Sequence, residues 1–149
     1  MELKKETAKK LFSESPDWFK EEMIKSFGKE VFEKRDFKEI KTFEDACVEM
    51  EIDPQSFNFS TDTPDEAAYK KLKVIVQAIN QGWTPDWKDS KQRKWWPYFN
   101  LSSGFGFSLS GYDYVNVNAH VGSRLCFETE QKSDYAAKQF SDIYKQFLT

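Results

Sequence analysis

Four stretches of the chain repeat their apolar residues at the three-to-four spacing of a helix face. The first is Phe19, Met23, Ile24 and Phe27. Ser15-Pro16-Asp17 stands in front of it, with Ser as the expected N-cap, Pro at the first helical position and an acid to meet the helix dipole. Gly28 supplies the stop. The second stripe, Phe43, Ala46, Cys47 and Met50, opens at Thr42-Phe43-Glu44-Asp45 and ends before Asp53-Pro54. The third carries the clearest start signal of the chain. Thr63-Pro64-Asp65-Glu66 combines an N-cap, a first-position proline and a capping-box acid, and Ala68, Leu72, Ile75, Val76 and Ile79 follow at helical spacing up to Gly82. A last stripe, Ala136, Phe140, Ile143 and Phe147, predicts one helix near the end of the chain.

Between the third and fourth stripes the period drops to two. Phe105, Phe107 and Leu109 alternate with Gly106 and Ser108, and Val115, Val117, Ala119 and Val121 alternate with Asn116, Asn118 and His120. Ser110-Gly111-Tyr112-Asp113 between them reads as a turn, so the pattern predicts a β-hairpin with one apolar and one polar face. Trp95–Leu101 and Arg124–Glu128 predict flanking strands, the first at an edge because of Pro97. The expected fold class is therefore α+β: N-terminal helices, a small antiparallel sheet of about three to four strands across 95–128, and a C-terminal helix packed on it. The expected organisation is a single domain over 1–149, with a helical part (1–60) and a helix-sheet-helix core (64–149).

Composition sharpens this in one respect. Leu, Ile and Val together number 20 and the aromatic residues 25, so rings must supply much of the core. Formal net charge is −3, which excludes a globally basic nucleic-acid binder. The one net-positive section, residues 61–101, owes its sign to Lys88-Asp89-Ser90-Lys91-Gln92-Arg93-Lys94. The two cysteines, Cys47 and Cys126, offer neither a disulfide framework nor zinc-ligand spacing. The opening MELKKETAKK lacks the apolar stretch of a signal peptide, and no apolar run reaches the 18 or so residues of a membrane helix. A cytoplasmic protein with no membrane contact, no metal and no cofactor is the expectation.

Two groups of residues invite a chemical reading. Trp87, Lys91, Arg93, Lys94, Trp95, Trp96 and Tyr98 interleave flat rings with cations, the combination that stacks bases and pairs phosphates of a single strand. The ordinary alternative is that the rings are core and the cations a solvated loop. Asn116, Asn118 and His120, with Arg124 beyond them, would share one strand face, where a lone His with amides and a cation can hold an anion or move a proton. The ordinary alternative there is a solvent-facing strand surface. Gly104-Phe105-Gly106 lacks both the third glycine of a dinucleotide fingerprint and the Gly-Lys of a P-loop, which excludes a nucleotide reading.

KLKVIVQAINQGWTPDW, WWPYF and VGSRLCFETEQKSDYAAKQFSDIYKQFL resemble a group of small uncharacterised proteins of Bacteroidetes genomes and of their phages and mobile elements. The resemblance spans roughly residues 64–149 and implies a bacterial or phage cytoplasmic origin. It carries over no activity and no functional residues. The sequence expectation is a non-enzymatic binding or accessory module that acts through a protein partner. Its alternatives are single-stranded nucleic-acid binding through the aromatic-basic loop, and a small enzyme using His120.

Overall fold

A computed structural model describes residues 5–102, 104–113 and 122–149. The chain divides into two compact units, one up to Arg35 and one over Asp36–Thr149.

In the first unit α1 (Lys5–Phe12) and α2 (Asp17–Phe27) are followed by a 3-10 turn, Lys29–Val31. Met23 is buried and Phe19, Ile24 and Phe27 are half-buried, as their spacing requires. Phe12 stacks on Phe32 at 4.3 Å, and Phe27 meets Phe32 edge-on. Ser15 does not cap α2. Its hydroxyl donates back to the Leu11 carbonyl at 2.7 Å and so closes α1, while extended Pro16 directly precedes α2.

The second unit is built around α4 (Pro64–Asn80). The Thr63 N–H donates to the Glu66 carboxylate at 2.8 Å, which is the acid's half of the expected capping box. Leu72, Ile75 and Ile79 are completely buried along α4. α3 (Phe43–Glu49) carries a complete capping box between Thr42 and Asp45 and buries Phe43, Ala46 and Cys47 against the same core. Instead of one C-terminal helix there are two, α5 (Glu130–Gln139) and α6 (Ser141–Leu148), broken at Phe140 (φ −109°, ψ 27°). Ala136, Phe140 and Tyr144 still point into the common core, so the break redirects the chain without interrupting the stripe.

The architecture of the described residues is α+β, with six α-helices and one antiparallel sheet. Among the described residues the sheet has two strands, β1 (Lys94–Asn100) and β2 (Gly106–Asp113), fewer than the three to four expected. Two particulars account for the difference. Ser110-Gly111-Tyr112-Asp113 is strand, not turn: it pairs with Pro97, Trp96, Trp95 and Lys94 in order. The chain reverses earlier, after Asn100, whose side-chain carbonyl accepts from the Ser102 N–H and where Gly104 takes φ +110°. Gly111 is needed for approach, not for turning, since a Cβ there would lie 2.8 Å from the Tyr98 ring. Secondly, the expected strand over Arg124–Glu128 is a 3-10 turn (Ser123–Leu125) followed by a single bridge between Trp95 and Phe127. The backbone groups on either side of Phe127 are taken by a side chain: Asn80 donates to the Cys126 carbonyl at 2.9 Å and accepts from the Glu128 N–H at 3.1 Å. The Val115–Val121 strand lies outside the described residues. No helix among the described residues is long and apolar enough to cross a membrane.

Candidate binding surfaces on the hairpin

Strand register sorts the aromatic-basic residues onto two faces. Trp95, Pro97 and Phe99 share one face of β1 with Tyr112, Ser110 and Phe107 opposite. This face packs inward along most of its length. Phe99 meets Tyr144 at 4.9 Å, and the Ser110 hydroxyl reaches that of Ser133 at 2.8 Å. Lys94, Trp96 and Tyr98 occupy the other face, with Gly111 and Leu109 opposite the last two.

Burial then separates residues that the sequence treats as one cluster. Lys94 is fully buried: its ammonium lies 5.4 Å from the Trp87 ring centre and donates to the Asp89 carbonyl at 3.2 Å. Trp87 is half-buried beneath it. Trp96 is buried, and its indole N–H donates to the Gly122 carbonyl at 3.0 Å. A ring and a cation held in this way cannot stack a base or pair a phosphate. Lys91 and Arg124 are exposed, each in a turn of its own. Arg93 is exposed and lies 4.7 Å over the Tyr112 ring. Asn116, Asn118 and His120 lie outside the described residues.

What remains accessible falls into two places. On the outer face, Tyr98 and Leu109 are direct cross-strand partners, 56% and 54% exposed, and Leu101 just beyond β1 is 58% exposed. On the inner face, where the sheet outruns the helices, Trp95 packs against Tyr112 at 4.8 Å between ring centres. There Trp83 and Trp95 line an open depression of about 410 Å³. Its polar lining comes from Gln92 and Arg93, from Glu128 just before α5 and from Gln131 in the first turn of α5.

The Trp95 side of the depression is braced. Trp95 and Phe127 exchange backbone hydrogen bonds at 3.0 and 2.8 Å, and the Asn80 amide holds the peptide groups on both sides of Phe127. Lys132 adds a buried tie: its ammonium donates to the Glu128 carboxylate at 2.6 Å and reaches the Asn80 carbonyl at 3.4 Å. Lys132 is buried but the Glu128 side chain is 37% exposed, so this half-buried pair fixes geometry more than it adds stability. Beside it, burial pushes the Cys126 thiol up to about 11, against the depressing field of the Lys94 ammonium. Such a thiol is protonated at neutral pH and is a poor nucleophile.

Of the candidate residues, then, the structure brings together Arg93 and Trp95 and adds Trp83, Gln92, Glu128 and Gln131. Asn80 is the residue that sequence reasoning passed over. Its signal was a polar side chain continuing the i, i+4 row Leu72–Val76–Asn80 on the buried side of α4. Among the described residues no group of three or more His, Cys, Asp or Glu side chains is placed to hold a metal ion. No family model, no curated protein and no solved structure matches this chain.

Proposed function

We propose that the protein is a binding module that acts through a protein partner, with the outer face of the β1–β2 hairpin as its docking surface. The observation that carries the proposal is the Tyr98–Leu109 pair: two large apolar side chains, directly opposed and each more than half exposed. The surrounding segment, residues 95–112, contains no formally charged residue. Solvent-facing strands ordinarily alternate apolar with charged or polar residues. An exposed hairpin end, depleted in charge and centred on Tyr98 and Leu109, instead matches the composition of interface cores. The partner that fits is a folded protein presenting an apolar, weakly charged patch.

The proposal is tested by quantitative affinity capture with two baits, the wild-type chain and the Tyr98→Ser/Leu109→Ser variant, from cells that naturally express it. A stoichiometric partner held by the wild type and lost by the variant is expected, while Arg124→Ala retains it. Equal recovery on both baits, or no stoichiometric partner on either, overturns the proposal.

A further inference from the structure

The depression on the inner face is chemically unlike the docking strip and calls for a different ligand. Trp83 and Trp95, both half-buried, line it together with residues that carry planar polar groups. The Gln92 side-chain carbonyl accepts from the Asp86 N–H at 2.7 Å, which fixes that amide with its NH₂ end left to donate. Arg93 adds further donors, Gln131 both donors and acceptors, and Glu128 acceptors.

Charge narrows the ligand class. A phosphate in the depression would meet the carboxylates of Glu128 and Glu130, and an ammonium would meet the Arg93 guanidinium. Glu128 is moreover already engaged by the Lys132 ammonium at 2.6 Å. With Glu128 neutralised by Lys132, the charges left in the lining, Arg93 and Glu130, are one of each sign. What it offers is flat aromatic surface edged by both donors and acceptors. A ligand that uses all of this has an apolar face and a rim of hydroxyls, each hydroxyl both donating and accepting. A sugar ring has that form: its axial C–H groups make one face apolar, and such C–H groups are attracted to the negative face of an indole. The volume of about 410 Å³ lies within the roughly 300–1,000 Å³ of small-ligand sites. Trp95 is held by its backbone bridge to Phe127, itself fixed by the Asn80 amide, so this part of the lining is formed in advance, which lowers the ordering cost of binding.

We infer that this depression is a saccharide-binding site. It takes one neutral pyranose ring, stacked on Trp83 or Trp95, with hydroxyls hydrogen-bonded to Gln92, Arg93, Glu128 and Gln131. This inference goes beyond the partner-docking proposal and stands on different residues.

The test is titration of the full chain, followed by tryptophan emission. Trp18, 68% exposed, would contribute signal from elsewhere, so the titration uses the Trp18→Phe variant as its background. The probes are neutral oligosaccharides of gluco, galacto, manno and 2-acetamido configuration at millimolar concentration, with oligothymidylate and spermidine as charged controls. A saturable change with at least one neutral sugar is expected, nearly independent of salt. Trp83→Ala should weaken that affinity by about tenfold or more, a loss of roughly 1.4 kcal/mol or more, with the melting temperature retained. Tyr98→Ser/Leu109→Ser should leave it unchanged, which separates this site from the docking strip. A responding sugar is then compared free and linked to a carrier protein, which tells an oligosaccharide ligand from a glycan on a larger partner. Silence from every sugar overturns the inference, as does salt-sensitive binding of oligothymidylate alone, and as does undiminished sugar affinity in Trp83→Ala.

Discussion

α4 and the β1–β2 hairpin both carry large apolar residues in the second unit, and they bury them to different degrees. α4 is covered by α3, α5 and α6, so Leu72, Ile75 and Ile79 reach no solvent. The hairpin is covered on its inner face along the Phe99–Phe107 end, while Tyr98 and Leu109 stand open on its outer face. Apolar periodicity therefore identifies the element but not its fate. For a helix flanked by other helices the apolar stripe is the core. For a two-stranded ribbon each strand has two faces, and burial depends on what lies over each of them.

The largest effect that separates the two regions is stability. Leu72→Ala removes a fully buried side chain from a core crossed by three other helices. It should cost about 2–5 kcal/mol, read as a lower urea midpoint with an unchanged slope. A loss below about 1 kcal/mol would mean that the α4 core is loosely packed and that the contrast with the hairpin is one of degree.

Next in size is the junction between the regions, where Asn80 carries the end of α4 to the segment that bridges β1. Asn80→Ala leaves the Cys126 carbonyl and the Glu128 N–H without that partner. An orphaned buried group costs about 1–3 kcal/mol, so a loss of roughly 2–3 kcal/mol is expected. The Phe127 amide, which donates to the Trp95 carbonyl at 2.8 Å, should lose hydrogen-exchange protection more than the amides of α4 do. If both lose protection equally, the bridge is held by the global fold and not by Asn80.

Legibility from sequence follows the same division. The helices were readable because their signals are local: the Thr42–Asp45 box, the Glu66 carboxylate on the Thr63 N–H, and the stripe of α4 all lie within one or two turns of chain. The turn at Ser110–Asp113 was misread because Gly111 looks like a turn residue on its own and is explained only by Tyr98, thirteen residues earlier, packing over it. The break at Phe140 bears no proline or glycine, and its stripe runs on through both helices, so nothing local marks it. The depression was invisible to spacing because its walls come from three separate segments, at 83, 92–95 and 128–131. Of the seven-residue aromatic-basic cluster, sequence alone could not tell the buried Lys94 and Trp96 from the accessible Arg93, because alternation shows which residues share a face and not which face is covered.

A third, comparable effect appears at high pH. Burial holds the Cys126 thiol at about 11 against an ordinary value of 9.0, and raises Tyr144, fully enclosed in the core, further still. A raised acid keeps its proton in the folded chain after the unfolded chain has released it. The stabilisation is therefore complete below about pH 9 and is lost as pH climbs from 9 towards 11. For Cys126 alone the fall is on the order of 2 kcal/mol. Cys126→Ala should flatten the decline, and the residual slope belongs to groups such as Tyr144. A stability curve level from pH 8 to 11 would show that solvent reaches the thiol in the folded chain.

The smallest effect is the most telling for function. Leu109 is as apolar as Leu72, yet Leu109→Ser should change the stability of the isolated chain by no more than about 0.5 kcal/mol, the usual range for surface substitutions. The side chain is 54% exposed, so little of its transfer free energy is realised in folding. A residue of this kind that is neutral to stability is free to be selected for something else, and contact with a partner is a use that an exposed leucine opposite an exposed tyrosine serves directly. Chemical denaturation of the variant checks this. A loss approaching that of Leu72→Ala would place Leu109 in the core of the isolated chain and withdraw the outer face of the hairpin as a docking surface. Near-identity with the wild type, measured alongside a large deficit for Leu72→Ala, would establish that the chain holds its two apolar regions for different purposes.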